Sequence, residues 1–274
     1  MINYNNESFY FSHIITSNET LYINKLLILL QKFIYIYDLS FFNNLNNKSD
    51  YDIILYLKNN HKIKDNLSYD NNLEKQNKKI NNITNVINNY NNKINTYLDI
   101  GCYNGSKTIK IGQNLNLSKN NIYGIDVDNY AGMKIKPINN NFQFINYTKQ
   151  FFIPLNNNFI DLITLLQVLH HIKHPNRILN EIIRISKNGT LLYIIDHDCY
   201  NKYIECLIRL EHLLYGILID KTDYKIYKEN MYERYFSKKN LIKKFKKYGF
   251  KIIMNNNINY GPTNYYNILF QLLK

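Results

Sequence analysis

The chain has no tryptophan, a single alanine (Ala131), nine glycines and four prolines in 274 residues. Three cysteines, Cys102, Cys199 and Cys206, are too few and too irregularly spaced for a disulfide framework or a zinc site. That shortage fits a reduced, cytoplasmic setting. The first twenty residues are polar and lack the basic start and apolar core of a secretory leader. No long uninterrupted apolar run is present either. Leu21 to Phe42 comes nearest, but Asn24, Lys25, Gln31, Lys32 and Asp38 break it at spacings near seven. Those residues form one polar stripe, so the run reads as an amphipathic helix and not a membrane span. Packing on a domain is its simplest role; an interfacial or partner-binding face is the alternative. Arginine is also scarce: Arg177, Arg184, Arg209 and Arg234 stand against thirty lysines.

What is abundant is Asn, Ile, Lys and Tyr, four residues with A/T-rich codons. The composition therefore points to an AT-biased genome, such as that of a large DNA virus or an AT-rich protist. A formal net charge of +13 ordinarily implies nucleic acid or another acidic surface as partner. Arginine, the residue suited to bidentate phosphate recognition, supplies little of it. Codon drift toward lysine gives the same charge with no partner, so both readings stay open. Apolar residues make up 45% of the chain. That is enough to fill a core for one large domain, or one domain plus an extension.

The most informative stretch is INTYLDIGCYNGSKTIKIGQNLNLSKNNIYGIDVD, starting at Ile94. An apolar run to Ile100 enters a tight Gly101-Cys102-Tyr103-Asn104-Gly105 turn, and Ser106 starts a helix. Ile122 to Val127 is the next apolar run and carries Asp126 near its end. This is strand, glycine turn, helix and acid-tipped strand, the opening half of a doubly wound nucleotide-binding sheet. Glycine lets the backbone turn sharply against a ligand. A carboxylate at a strand's carboxyl edge can accept hydrogen bonds from ribose hydroxyls. A dinucleotide GxGxxG pattern would need glycine at 101, 103 and 106, and only the first is present. A GxGxG turn would need 101, 103 and 105, and two of the three fit.

The remainder reads in the same idiom. A helix is expected over 20–40 and a short one over Tyr51 to Lys58. Leu73, Ile80, Ile83 and Ile87 have helical spacing within an Asn/Lys-rich tract. Phe142 to Tyr147 and the nearly all-apolar Phe159 to Leu166 read as the third and fourth strands. Pro175 opens a helix with Ile178, Leu179, Ile182, Ile183 and Ile185 on its buried face, ended by Asn188-Gly189. Leu191 to Ile195 is the fifth strand. An apolar helix over 200–219, a basic helix over 237–248 and two final strands follow. The domain division is expected near residue 92. A helical extension and linker are expected over 1–92, the domain with the nucleotide-binding sheet over 93–274, and a helical lid or substrate insertion over 200–234.

In that order, LDIGC, YGIDVD, IPLNNNFIDLIT, QVLHHI, SKNGTLLYI and YFSKKNLIKKFKKYGFKI resemble the motifs of class I S-adenosylmethionine (SAM) methyltransferases. The likeness is to the branch containing ubiquinone and menaquinone biosynthesis enzymes. It covers about half the chain and leaves the first 90 residues and 200–234 unexplained. The resemblance implies an α/β fold: a doubly wound, seven-stranded, mostly parallel sheet with an N-terminal helical extension. It implies SAM as cofactor. Asp99, Gly101, Cys102, Tyr103 and Gly105 would surround the methionine part, and Asp126 the ribose. Val127, with Asn146 or Thr148, would lie at the adenine, and Gln167 and Leu169 near the sulfonium. The acceptor would be a small molecule, as in that branch, or an RNA reached through the basic surface.

Methyl transfer needs alignment and exclusion of water, and a base only where the acceptor must lose a proton. Candidates near the carboxyl ends of strands four and five are His170, His171 and His197; packing or backbone hydrogen bonding is the simpler role for each. His170 and His174 are four apart, yet Pro175 and the lack of a third ligand argue against a metal. Two departures from the family pattern carry a second class of function. Tyr103 stands where the middle glycine belongs, and Asn146-Tyr147-Thr148-Lys149 lacks the usual adenine-side acid. A fold altered in this way could bind a protein or RNA without catalysis.

Overall fold

The structure is a computed structural model, and it describes residues 8–17, 19–45, 48–64, 73–90, 93–130, 133–147 and 152–274. The chain forms two compact units. The first takes residues up to 71 together with 198–230 and 259–264; the second takes 72–197, 231–258 and 265–274. Helices and strands are numbered in chain order.

The first unit holds α1 (Tyr10–Ile15), α2 (Thr20–Phe33), α3 (Asp50–Asn60), α7 (Lys202–Leu214) and α8 (Tyr224–Asn230). The amphipathic run becomes α2, which buries Tyr22, Leu26, Leu29, Leu30 and Phe33 at helical spacing. It stops at Phe33 and not near 40, because Ile34-Tyr35-Ile36-Tyr37 is a β-branched and aromatic run suited to extended backbone. There Ile34 bridges Ile63, and the Tyr35 N–H donates to the Lys62 carbonyl at 3.1 Å. Asp50 is fully buried and caps α1 from a distance, accepting the Tyr10 and Phe11 N–H groups at 2.9 and 3.0 Å. The apolar segment expected as one helix over 200–219 is α7 followed by a π-helical turn, Tyr215–Ile219. Buried Glu211 on α7 receives Lys32 of α2 at 2.5 Å and the Thr263 hydroxyl at 2.8 Å.

The second unit is built on seven strands: β1 (Tyr97–Ile100), β2 (Ile122–Asp126), β3 (Gln143–Asn146), β4 (Ile160–Leu166), β5 (Ser186–His197), β6 (Phe250–Tyr260) and β7 (Thr263–Leu272). A two-residue pair, Asn129–Tyr130 with Met133–Lys134, stands apart from them. The spatial order is β3-β2-β1-β4-β5-β7-β6. The pairs β3–β2, β2–β1, β1–β4 and β4–β5 are parallel, and β5–β7 is antiparallel. This is the doubly wound, mostly parallel α/β sheet expected from the sequence.

Alternate strand residues face opposite helix layers, as a period of two requires. Leu98, Ile100, Ile163, Leu165, Leu192 and Ile194 pack with α6 (Pro175–Ile185) and α9 (Lys238–Lys247). Tyr97, Leu162, Leu191 and Tyr193 pack with α4 (Leu73–Asn88) and α5 (Ser106–Asn114). Covered on both faces, the central strands are apolar almost throughout. Helix α4, which the expected division at residue 92 sets with the extension, thus lies on this sheet, while 200–230 groups with the first unit. Asn188-Gly189 does not end α6. The helix stops at Ile185, and Gly189, at φ +83°, lies inside β5 where the ladder to β4 shifts register.

Candidate functional site

β1 lies between β2 and β4, so the chain leaves it in one direction for β2 and β3 and returns on the other side with β4. The carboxyl ends of these parallel strands open together at that switch point, the usual place for a ligand in such sheets. Asp99 is one residue from the end of β1, in register with Gly124 and Thr164. Its carboxylate is 3% exposed and accepts the Thr164 and Thr108 hydroxyls, both at 2.6 Å. Burial pushes its pKa up to about 6, against the two hydroxyl bonds and Lys107, which act downward. Asp99 therefore ties β1, β4 and α5 together beneath the turn.

In the turn, the Gly101 and Cys102 N–H groups donate to the Ile125 carbonyl at 2.8 and 3.2 Å. Gly101, Tyr103 and Gly105 all have left-handed φ, at +76°, +52° and +84°. A Cβ on Gly101 would sit 2.2 Å from Val168 Cγ2, and one on Gly105 would sit 2.2 Å from Phe142 Cζ. These two glycines are thus required by close approach as well as by φ. Tyr103 keeps the conformation a middle glycine would adopt, at a cost of about 1–2 kcal/mol, and its side chain is 48% exposed. Cys102 is buried toward Phe142, and burial drives its thiol pKa far up, so it is no nucleophile.

Asp126 ends β2. Its Oδ2 accepts the Tyr103 N–H at 2.6 Å and its Oδ1 accepts the Val127 N–H at 2.7 Å. Burial raises its pKa, and the two backbone bonds act against that rise. One hydrogen bond per oxygen leaves acceptor capacity on each. Val127 is half-buried beside it. Asn146 ends β3 directly across from Asp126 and is exposed. Thr148 lies outside the described residues.

At the carboxyl end of β4, Gln167 has φ +61° and donates its N–H to the Ile195 carbonyl at 2.7 Å. Its side-chain oxygen accepts Lys79 Nζ of α4 at 3.1 Å. Burial, with the charge of Lys107 behind it, pushes the Lys79 pKa down to about 8. Leu169 does not share this mouth. Its side chain is buried in the core among α6 and α9 residues.

The predicted histidines converge. His170 Nδ1 donates to Asp196 Oδ1 at 2.5 Å, and the His197 N–H donates to the same oxygen at 2.8 Å. The His170 ring is stacked with Tyr235 at 5.2 Å and lies 5.2 Å from the His197 ring; His197 lies 4.3 Å from Tyr265. His171 Nδ1 bonds the Tyr232 carbonyl at 3.1 Å, a backbone-anchoring role. His170 and His174 lie in different elements, a 3₁₀ turn and the cap of α6.

Sequence reasoning missed Thr108, Thr164, Tyr235 and Lys79 as site components. Thr108 lies outside the quoted motifs, Thr164 and Tyr235 stand at the ends of two of them with nothing to mark either as a contact, and Lys79 stands in an Asn/Lys-rich tract where one lysine resembles the next. Asp196 opens the polar Asp196-His197-Asp198 run after Ile195, where nothing in the sequence sets it apart from Asp198.

A family described as methyltransferase domain matches residues 60–255. No curated protein matches the sequence significantly. Among solved structures, a SAM-dependent methyltransferase from Methanosarcina mazei is similar at TM-score 0.50 and 19% identity, covering 69% of this chain and 97% of its own. The YcgJ protein of Bacillus subtilis is similar at 0.49 and 12%, covering 72% and 99%. A 1,6-didemethyltoxoflavin N1-methyltransferase from Burkholderia thailandensis, solved with S-adenosylhomocysteine, is similar at 0.48 and 10%, covering 71% and 78%. The first of these shares the fold. With a match spanning most of its length, this chain belongs to the methyltransferase-domain family.

Proposed function

We propose that the protein transfers a methyl group from S-adenosylmethionine to an acceptor bound beyond the carboxyl ends of β4 and β5. The observation that carries this reading is the Asp126 carboxylate, drawn by the Tyr103 N–H into the mouth of the left-handed 101–105 turn. The donor set fits the cofactor. Asp126 retains acceptor capacity for two ribose hydroxyls. In this reading Asn146, across from Asp126 on β3, and Val127 border the base. Lys79 and Gln167, with the turn backbone, suit the charged amino-acid end. An anionic group beside Lys79 would return that amine toward its ordinary range.

When bound, SAM supplies an electrophilic methyl group on a sulfonium. The chain's task is then to orient the acceptor, exclude water and take up a proton where one is lost. In our reading His170 takes the proton. Asp196 holds its imidazole through Nδ1 and stabilises the imidazolium formed. His197 and Tyr235 shape the same floor. Acceptors with a dissociable proton, such as phenols and quinols, are the class this pair serves.

Titration calorimetry with S-adenosylhomocysteine tests the cofactor, with NADH as control. Micromolar binding, about −8 kcal/mol, weakened at least about tenfold by Asp126→Ala, is the expected result. Folded protein that binds neither ligand would overturn the reading and favour a fold that binds a partner without catalysis. Release of S-adenosylhomocysteine across a panel of phenols, quinols and RNA then identifies the acceptor.

A further inference from the structure

We infer that the outward face of α9 is a docking surface for the phosphodiester backbone of a nucleic acid. The helix reads KKNLIKKFKK, six lysines and no acid in ten residues. Leu241 and Phe245 are buried against the sheet. Lys239, Lys243, Lys246 and Lys247 are exposed, and so are Arg234 before the helix and Lys251 after it.

Helix stability does not call for this arrangement. Lysines in the last turn suit the helix dipole, but Lys238 and Lys239 stand in the first turn, where the dipole favours acids. Lys239–Lys243 and Lys243–Lys247 are like-charge pairs four apart, and each weakens the helix. Composition does not call for it either. The same bias makes α4 LEKQNKKINNITNVIN, with five asparagines, three lysines and one acid in sixteen residues, whereas α9 has one asparagine, six lysines and no acid in ten.

A hydrated polyanion fits this face better than a bilayer. Its apolar residues turn inward, leaving none on the outer side to insert among lipids. The face also begins at the site. The Arg234 N–H donates to the His170 carbonyl at 2.8 Å, and its guanidinium lies 5.5 Å from the Phe236 ring centre, a cation–aromatic pair of the kind on which bases stack. Burial and the Arg234 charge together hold the half-buried Lys244 amine below its usual range. This inference concerns binding alone and stands whether or not the methyl-transfer reading holds.

The test is fluorescence polarisation of the full chain with labelled oligo(U) RNA of about 20 nucleotides, across a salt series without cofactor. The quadruple variant K239Q/K243Q/K246Q/K247Q, checked for unchanged thermal unfolding, is compared with K93Q/K119Q/K134Q/K136Q. The second set removes equal charge from exposed positions elsewhere in the second unit. The α9 variant should bind about tenfold more weakly near 100 mM salt, with a log–log salt slope shallower by about 2–3. The control set should change little. Equal loss in both sets would reduce the effect to net charge and overturn the proposal. So would wild-type protein that ignores the RNA, or that binds phosphatidylserine vesicles instead.

Discussion

Asp99, near the end of β1, and His170, in the 3₁₀ turn after β4, are both buried polar side chains, and their partners set them different tasks. The Asp99 carboxyl is held by two threonine hydroxyls in a dry environment, and burial dominates its titration. Its folded pKa of about 6 lies above the unfolded value of about 3.9. The folded state therefore binds the extra proton, and this group's contribution to stability is lost as pH rises from about 4 to about 6. The loss should be about 2–3 kcal/mol. In Asp99→Asn it should vanish, so urea unfolding at pH 4 and pH 7 should show the variant gaining on wild type by that amount at the higher pH. Parallel pH dependence in the two proteins would place the proton elsewhere. For His170, removal of the imidazole with Gln should lower turnover about 10²–10⁴-fold with any acceptor that must lose a proton. It should leave S-adenosylhomocysteine affinity unchanged. A comparable loss of affinity would make His170 a structural residue.

At the scale of the element, the decisive piece is the turn between β1 and α5. Gly105 combines φ +84° with a Phe142 ring 2.2 Å from any added Cβ, whereas Gly261, at φ +71°, has nothing within 4 Å. Gly105→Ala should cost about 2–4 kcal/mol and weaken cofactor binding. Gly261→Ala should cost only about 1 kcal/mol, from backbone alone. Denaturant midpoints of the two variants separate strain from clash. Similar losses would mean that Phe142 swings aside without cost.

For the whole molecule, the first unit is assembled from segments far apart in sequence. α1 and α2 come from the first 33 residues and pack on α7, some 180 residues later. Leu207, Ile208, Leu210 and Leu214 of α7 are fully buried. A chain starting at residue 73 keeps α4 on the sheet but strips α7 of two partner helices. It should bind a hydrophobic dye and associate on gel filtration. A monomeric truncation with a wild-type melt would show that the segments before residue 73 are a dispensable appendage.

The sequence by itself determined the order of strands and helices, the glycine turn and the acid at the end of β2. These follow from local rules: apolar periodicity, the conformational freedom of glycine, and proline at the start of α6. Gly101, Gly105 and Asp126 could be picked out on that basis, and Asp99 and Gln167 only through the family resemblance. Tertiary structure alone decided which side chains meet. Thr164 reaches Asp99 only because β1 and β4 are neighbours though 65 residues separate the two side chains, Thr108 reaches it because the turn folds α5 back over β1, and Lys79 reaches Gln167 across 88 positions. Asp196 meets His170 only because β5 lies beside β4. Leu169 turned inward and α4 joined the sheet for a related reason: burial of apolar surface is settled by what lies across the gap, and periodicity along one segment does not carry that information.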